Sequence, residues 1–331
     1  STFILADRPG KFMNIAAPST VAPLDETKFR DPQFTARGEA RASVALNRLE
    51  TLWINTGTLC NLTCVNCYMD SSPTNDRLVY ISTDEVRAYL DEIAADGLAT
   101  AEIGFTGGEP FMNPDMIDIL DLTLSHGLRA LVLTNAMRPM ARVGDRLLTL
   151  REKYGDRLVL RVSIDHYDRA LHEKERGDRS WQPAIDGLVW LSDNGFNINV
   201  AGRTFWDESE HDLRAGYGAL FAETGLKVDP QSPVDLVLFP EMDEMADVPE
   251  ITTACWGILD VSPDAMMCAT SRMVVKRRGA DRPVVMPCTL LPYDERFAMG
   301  ETLAEAAADV PLNHPHCAKF CVLGGGACSA G

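Results

Sequence analysis

Three thiols crowd one short stretch of this chain. In TLCNLTCVNCYMD, residues 58–70, Cys60, Cys64 and Cys67 follow the spacing C-x3-C-x2-C, with Tyr68 directly after the last. A tetrahedral zinc site or an ordinary iron–sulfur cluster takes four thiolates, so this stretch is one ligand short. Either the fourth ligand lies elsewhere in the chain, or the open position is the working part. Six further cysteines, Cys255, Cys268, Cys288, Cys317, Cys321 and Cys328, all lie near the C-terminal end. Nine is an odd count, and the opening residues lack the charged-then-apolar pattern of an export signal. Both facts favour metal ligation over a disulfide framework. The tail CVLGGGAC would let backbone amides point at sulfur, which suits zinc and iron–sulfur alike.

Thiols at such spacing need a scaffold. Six short apolar runs supply one, at 51–56, 101–106, 129–135, 157–165, 196–204 and 234–239, separated by amphipathic stretches of helical length. Ser82 with Glu85 reads as a capping box and Gly97 as the end of that helix. Asn113 and Pro114 read as the cap and first turn of the next helix, which stops at Gly127. Another helix is expected from near Pro183 to Gly195. Strands that look buried on both faces and alternate with helices imply an α/β fold with a parallel sheet and right-handed crossovers. Six units are too few for an eight-stranded barrel, so an open, partial (β/α)6 barrel of the TIM type is expected. Its chemistry should lie at the C-terminal strand ends, and the cysteine triplet follows the first strand. Residues 1–48 read as an N-terminal extension packed on the main domain, and 49–240 as the barrel. Residues 241–331 read as a small domain held largely by metal, with little apolar core of its own.

The triplet together with FTGGEP, residues 105–110, resembles the radical S-adenosylmethionine (SAM) enzymes over roughly residues 50–240. The resemblance implies a [4Fe-4S] cluster whose three thiolates hold three irons and leave the fourth free to chelate SAM. Reductive cleavage of the bound SAM would give a 5′-deoxyadenosyl radical that abstracts a hydrogen atom from a substrate carbon. In that family the backbone of Gly107 and Gly108 would approach the SAM amino group, with Glu109 as its charge partner and Tyr68 beside the adenine. Thr134, Asn135, Ser163 and Asp165, at the ends of the third and fourth strands, would reach the ribose or carboxylate. Arg203, closing the fifth strand, would reach the SAM carboxylate or the substrate. The same polar residues would equally serve to satisfy strand-end turns.

The C-terminal cysteines resemble the SPASM and twitch domains that carry auxiliary clusters, with departures. Pro283 stands where their pattern has Gly, and the tail Cys317, Cys321, Cys328 is C-x3-C-x6-C, one cysteine short. Cys255 lies upstream of the usual start. The resemblance implies one or two auxiliary iron–sulfur clusters. A structural zinc site is the alternative, and His314 and His316 read as caps or as additional ligands.

Net charge is −17, which repels a nucleic-acid partner. The basic run KRRGADR, residues 276–282, is short and reads as a solvated turn. Residues 206–250 carry twelve acids against Arg214 and Lys227, read as a solvated surface or a face for a basic partner. No apolar run reaches the roughly 18–20 residues that cross a bilayer, so a cytoplasmic protein without membrane contact is expected. The expected activity is hydrogen abstraction followed by auxiliary-cluster-assisted oxidation or cross-linking, most naturally of a peptide or protein. A reductant such as flavodoxin or ferredoxin would supply the electron. The first 48 residues leave no room for a fused leader-peptide recognition domain, so such a peptide would need a separate carrier or direct docking. Two alternatives remain: a small-molecule dehydrogenase or epimerase of the same superfamily, and a non-catalytic iron–sulfur electron carrier or sensor. The carrier would have no use for an open iron.

Overall fold

The structure, a computed structural model, describes residues 22–240 and 243–324. Cys328 and the first 21 residues of the expected N-terminal extension lie outside the described residues.

The strands are β1 (Ser43–Val44), β2 (Thr51–Asn55), β3 (Glu102–Thr106), β4 (Arg129–Thr134), β5 (Leu158–Ser163), β6 (Asn197–Arg203), β7 (Leu236–Phe239), β8 (Ser271–Val275), β9 (Val284–Met286) and β10 (Val310–Pro311). The helices are α1 (Thr83–Ala95), α2 (Met116–Ser125), α3 (Arg138–Ala141), α4 (Gly144–Tyr154), α5 (Arg169–Arg176), α6 (Trp181–Asp193), α7 (Glu210–Thr224) and α8 (Cys255–Leu259). One sheet runs β7-β6-β5-β4-β3-β2-β8-β9, and β2 to β7 pair in parallel, each with its neighbour in sequence. This is the six-unit arrangement of a partial barrel. The central strands β2, β3 and β5 bury both faces, as a helix-covered parallel sheet must. Leu52, Ile54, Ile103, Phe105, Val132, Leu160 and Val162 pack toward the helices. Trp53, Leu131, Val159 and Met273 belong to a second core on the other side.

Local signals set the helix ends. Ser82 accepts from the Glu85 N–H while Glu85 reaches back to the Ser82 N–H, a complete capping box for α1. Helix α6 begins at Trp181, two residues before Pro183. For α2 the cap is Asp115, not Asn113. The Asn113 side chain instead donates to the carbonyls of Thr56 (3.2 Å) and Ile81 (2.9 Å), tying the loop after β2 to the approach to α1.

The C-terminal part departs from expectation. Strand β8 pairs in parallel with β2, with Trp53 opposite Met273, so the barrel's own sheet continues through the segment read as a separate domain. That segment also has an apolar core, which includes Ile251, Met266, Met286, Leu291, Phe297, Leu312 and Phe320. It does not rest on metal alone. The run 276–282 forms the β8–β9 turn, with Lys276 paired to Glu85, Arg278 to Asp76 and Arg282 to Glu301. The acids of 206–250 are dispersed: Glu208 meets His166 and Tyr167, Glu210 meets Arg214, and Glu250 meets Arg41.

Residues 22–48 lie on the C-terminal segment rather than on the barrel. Ser43 pairs with Pro311, Arg41 bridges to Thr252, and Pro23 to Ala246. Glu250 anchors them, accepting from the Phe29 N–H (2.7 Å), the Ala36 N–H (2.6 Å) and Arg41 (2.5 Å). Removing one partner of a buried pair strands the other charge. Glu250→Ala should therefore cost about 3–5 kcal/mol and open residues 22–42 to protease. Denaturant titration with limited proteolysis checks this, and wild-type values in both would refute the anchor.

Candidate functional site

The loop after β2 carries Cys60, Cys64 and Cys67 to the C-terminal edge of the sheet, closed against itself by the Thr58 N–H to Leu78 C=O bond (3.0 Å) and the Cys60 N–H to Ser72 C=O bond (3.0 Å). Backbone amides face two of the sulfurs: Leu62 donates to the Cys60 Sγ and Ser71 to the Cys67 Sγ, both at 3.4 Å. Such bonds favour the thiolate. Burial, helped by neighbouring negative charge, pushes Cys60 up to about 12 and raises Cys64, with Arg176 opposing the rise at Cys64. A bound cation inverts that balance.

Gly107 and Gly108 end β3 directly against this loop. The Gly108 N–H donates to the Gly57 carbonyl (2.8 Å) and the Glu109 N–H to the Leu59 carbonyl (3.1 Å). A Cβ at Gly107, whose φ is +135°, would lie 2.4 Å from the Gly57 oxygen. One at Gly108 would lie 2.1 Å from the Leu59 oxygen. Both glycines are thus required by backbone contact within the protein, before any ligand is considered.

Glu109 is 2% exposed and already holds three donors: the Phe111 N–H (3.2 Å), the Thr134 hydroxyl (2.8 Å) and the Asn135 N–H (2.9 Å). Burial pushes it up to about 7 against those donors, which favour the anion. Asn135 continues the chain of contacts, its Nδ2 donating to Asn61 Oδ1 (2.9 Å) in the cysteine loop. The Tyr68 hydroxyl lies 3.3 Å from Thr106 Oγ1 at the end of β3. Asp165, past the end of β5, forms a bidentate pair with Arg176 (2.7 and 3.1 Å). Burial works against the Asp165 carboxylate, yet the Arg176 guanidinium holds it below its ordinary value. Arg203 donates to the Asn66 carbonyl (2.6 Å), and Ser163 is half-buried at the end of β5.

The triplet, Gly107, Gly108, Glu109, Thr134, Asn135, Asp165 and Arg203 therefore occupy one edge of the sheet. Asn61, Asn66, Asn113, Glu175 and Arg176 join them and carry no motif of their own. Apart from Arg176, whose partner Asp165 is 11 residues away, they find their partners far away in sequence.

A second group forms elsewhere. Cys268, Cys288, Cys317 and Cys321 line one cavity with Met266, Met267, Pro287, Leu290, Leu291, Val310, Leu312 and His316. Burial pushes Cys268 up to about 11 and Cys317 up to about 12, and raises Cys288 well above its ordinary value. Cys255 is not on that wall; its sulfur accepts from the Thr252 N–H and shares a hydrogen bond with the Thr252 hydroxyl, each at 3.4 Å. The His314 Nδ1 faces the His316 N–H at 3.1 Å, so that nitrogen is an acceptor engaged within the chain. Among the described residues, no three His, Cys, Asp or Glu side chains converge on a single ion-sized point. The four thiols border a space instead. Tyr293 joins the two regions, donating to the Met69 carbonyl (2.6 Å) behind the cysteine loop.

Residues 54–215 match the family model of the Radical SAM superfamily. This chain carries a radical SAM domain, and with it the [4Fe-4S] cluster and SAM that define the superfamily. A 147-residue stretch is 31% identical to the antilisterial bacteriocin subtilosin biosynthesis protein AlbA of Bacillus subtilis, covering 44% of this chain and 31% of AlbA. A 174-residue stretch is 28% identical to the mycofactocin maturase MftC of Mycolicibacterium smegmatis, covering 51% of this chain and 42% of MftC. The chain thus spans less than half the length of these curated relatives. Streptococcus suis SuiB, solved bound to its precursor peptide SuiA, shares the fold at a TM-score of 0.56 and 12% identity. That match covers 77% of this chain and 63% of SuiB. No helix among the described residues is long and apolar enough to cross a membrane.

Two outcomes follow from the contacts. Gly108→Ala should push the cysteine loop off β3 and lower stability by about 1–3 kcal/mol, with loss of the iron held by the triplet. Unchanged iron and melting would contradict the close packing. For Glu109, a folded pKa of about 7 against an ordinary 4.5 means the folded chain keeps a proton that the unfolded chain releases. Stability of the metal-free protein should fall as pH rises through that window, and the fall should shrink in Glu109→Gln. Equal slopes in both proteins, read by thermal melts, would refute it.

Proposed function

We propose that this protein is a radical SAM enzyme that modifies a peptide or protein, with one auxiliary [4Fe-4S] cluster held by Cys268, Cys288, Cys317 and Cys321. The convergence of those four thiols on one cavity carries the auxiliary-site reading. Four thiolates complete a cubane's ligand set, where Cys60, Cys64 and Cys67 leave one iron open. Arg272 supports an anionic occupant. Its guanidinium is fully buried and, among the described residues, donates to carbonyls alone, those of Cys268 (2.5 Å), Ser271 (2.8 Å), Ala306 (2.8 Å) and Ala308 (3.3 Å). A metal–tetrathiolate centre beside it would balance that charge. Cys255 falls outside the set, and the domain division at about residue 240 becomes a change of role along one continuous sheet. A peptide substrate is favoured by the subtilosin and mycofactocin relatives and by the SuiB complex.

When bound, the open cluster and SAM supply a 5′-deoxyadenosyl radical that takes a hydrogen atom from a substrate carbon. The chain's own residues set where that happens. The Gly57–Gly108 and Leu59–Glu109 contacts fix the thiol loop against β3. Glu109, Thr134 and Asn135 hold the ends of β3 and β4 together beside it. Tyr68 and Arg203 present a ring and a charge at the same edge, toward adenine and carboxylate in this reading. Cys268, Cys288, Cys317 and Cys321 would hold the auxiliary cluster, which would supply an acceptor for the electron lost as the substrate is oxidised or cross-linked, and a flavodoxin- or ferredoxin-class donor would supply the electron for SAM cleavage.

Replacing Cys60, Cys64 and Cys67 together by Ala should abolish 5′-deoxyadenosine release and remove about four irons. Cys288→Ser should spare SAM cleavage and lose the other four or so, while Cys255→Ser keeps both sets. Zinc in place of iron at the Cys288 site, or iron loss in Cys255→Ser, would refute the four-thiol assignment.

A further inference from the structure

Asn66, between Cys64 and Cys67, is gripped from two sides. Its N–H donates to one Glu175 carboxylate oxygen at 2.7 Å and its Nδ2 to the other at 2.9 Å. Its carbonyl accepts from Arg203 at 2.6 Å. The preceding residue is held too, with the Val65 N–H donating to the Glu175 carbonyl at 2.9 Å. Val65 itself is 73% exposed, so its side chain adds little packing at the loop tip, where these polar bonds act.

Glu175 is a costly choice for any other purpose. It is 3% exposed and sits in the last turn of α5, where the helix dipole disfavours a carboxylate. The neighbouring Arg176 gives its charge to Asp165, not to Glu175. Glu175 is held by amide donors from the cysteine loop. Arg203 reaches the same residue from the end of β6, and its own N–H donates to the Asp165 carbonyl at 3.1 Å. The two side chains that hold Asn66 are thus set on neighbouring parts of the β5–β6 unit.

We propose that Glu175 and Arg203 are positioning residues for the three-thiol cluster: together they clamp Asn66 and fix the Cys64–Cys67 turn that presents two of the ligands. The proposal rests on the radical SAM reading of the triplet. Outer contacts of this kind typically change metal affinity by about 10–100-fold when removed.

The donor pattern allows a reciprocal test. Asn66→Asp sets a carboxylate against that of Glu175, whereas Asn66→Asp with Glu175→Gln restores one donor facing one acceptor. Each reconstituted protein is challenged with an iron chelator, and its cluster EPR is recorded with and without SAM. Glu175→Ala and Asn66→Asp should lose the triplet's iron about 10–100 times faster than wild type, with an altered SAM-induced EPR change, and the double variant should recover to within about threefold. The auxiliary iron and the thermal melt should stay as in wild type. Wild-type loss rates and spectra in both single variants would overturn the clamp, as would a double variant no better than Asn66→Asp. The Cys60, Cys64 and Cys67 triple variant separates the two readings, since iron equal to wild type there would overturn the cluster assignment itself.

Discussion

Two backbone hydrogen bonds carry more of this structure than their number suggests. The Gly108 and Glu109 amides donate to the Gly57 and Leu59 carbonyls, fastening the end of β3 to the first turn of the thiol loop. The contact is so close that neither Gly107 nor Gly108 can bear a Cβ. Because Glu109 follows immediately, its carboxylate is delivered into the gap between β3 and β4, where Thr134 and Asn135 occupy it. Asn135 then returns to the loop at Asn61. A short cycle of contacts thus runs from loop to β3 to β4 and back, and it fixes Cys60 before any metal arrives.

Charge is handled differently at the two thiol groups. Near the triplet, the buried Arg176 is matched by Asp165 in a bidentate pair, so the site is close to balanced without a cofactor. Near the four-thiol cavity, the hydrogen bonds of Arg272 among the described residues all go to carbonyls. The proposed metal–thiolate centre would complete that environment, while the surrounding apolar core gives the segment packing that does not depend on metal. The continuation of the sheet from β2 into β8 and the Tyr293 bond to Met69 join the two regions in one body of protein.

Much of the barrel could be read from the sequence, because its signals are local. The six strands fall within two residues of the apolar runs, and the Ser82–Glu85 box is formed by residues three apart. The cysteine spacing is equally local. What escaped notice was long-range. Strand β8 is five residues between cysteines that draw attention to metal, and its pairing with β2 spans more than two hundred positions. Glu175 lies outside every motif, and nothing in its own sequence neighbourhood reveals Asn66, 109 positions away. Asn113 carried the local marks of a helix cap, but its side chain was taken up by the Thr56 and Ile81 carbonyls. Cys255 shares its residue type with the four cavity thiols and not their position. Spacing cannot tell those apart.

The central claim is that one thiol group leaves an iron open and the other closes its cluster. Mössbauer spectroscopy of the iron-57-reconstituted, reduced protein, before and after SAM, tests this directly. About one iron in eight should change its isomer shift on adding SAM, while the four cavity-bound irons keep tetrathiolate parameters throughout. A spectrum unchanged by SAM, or changed at both clusters, would contradict the account.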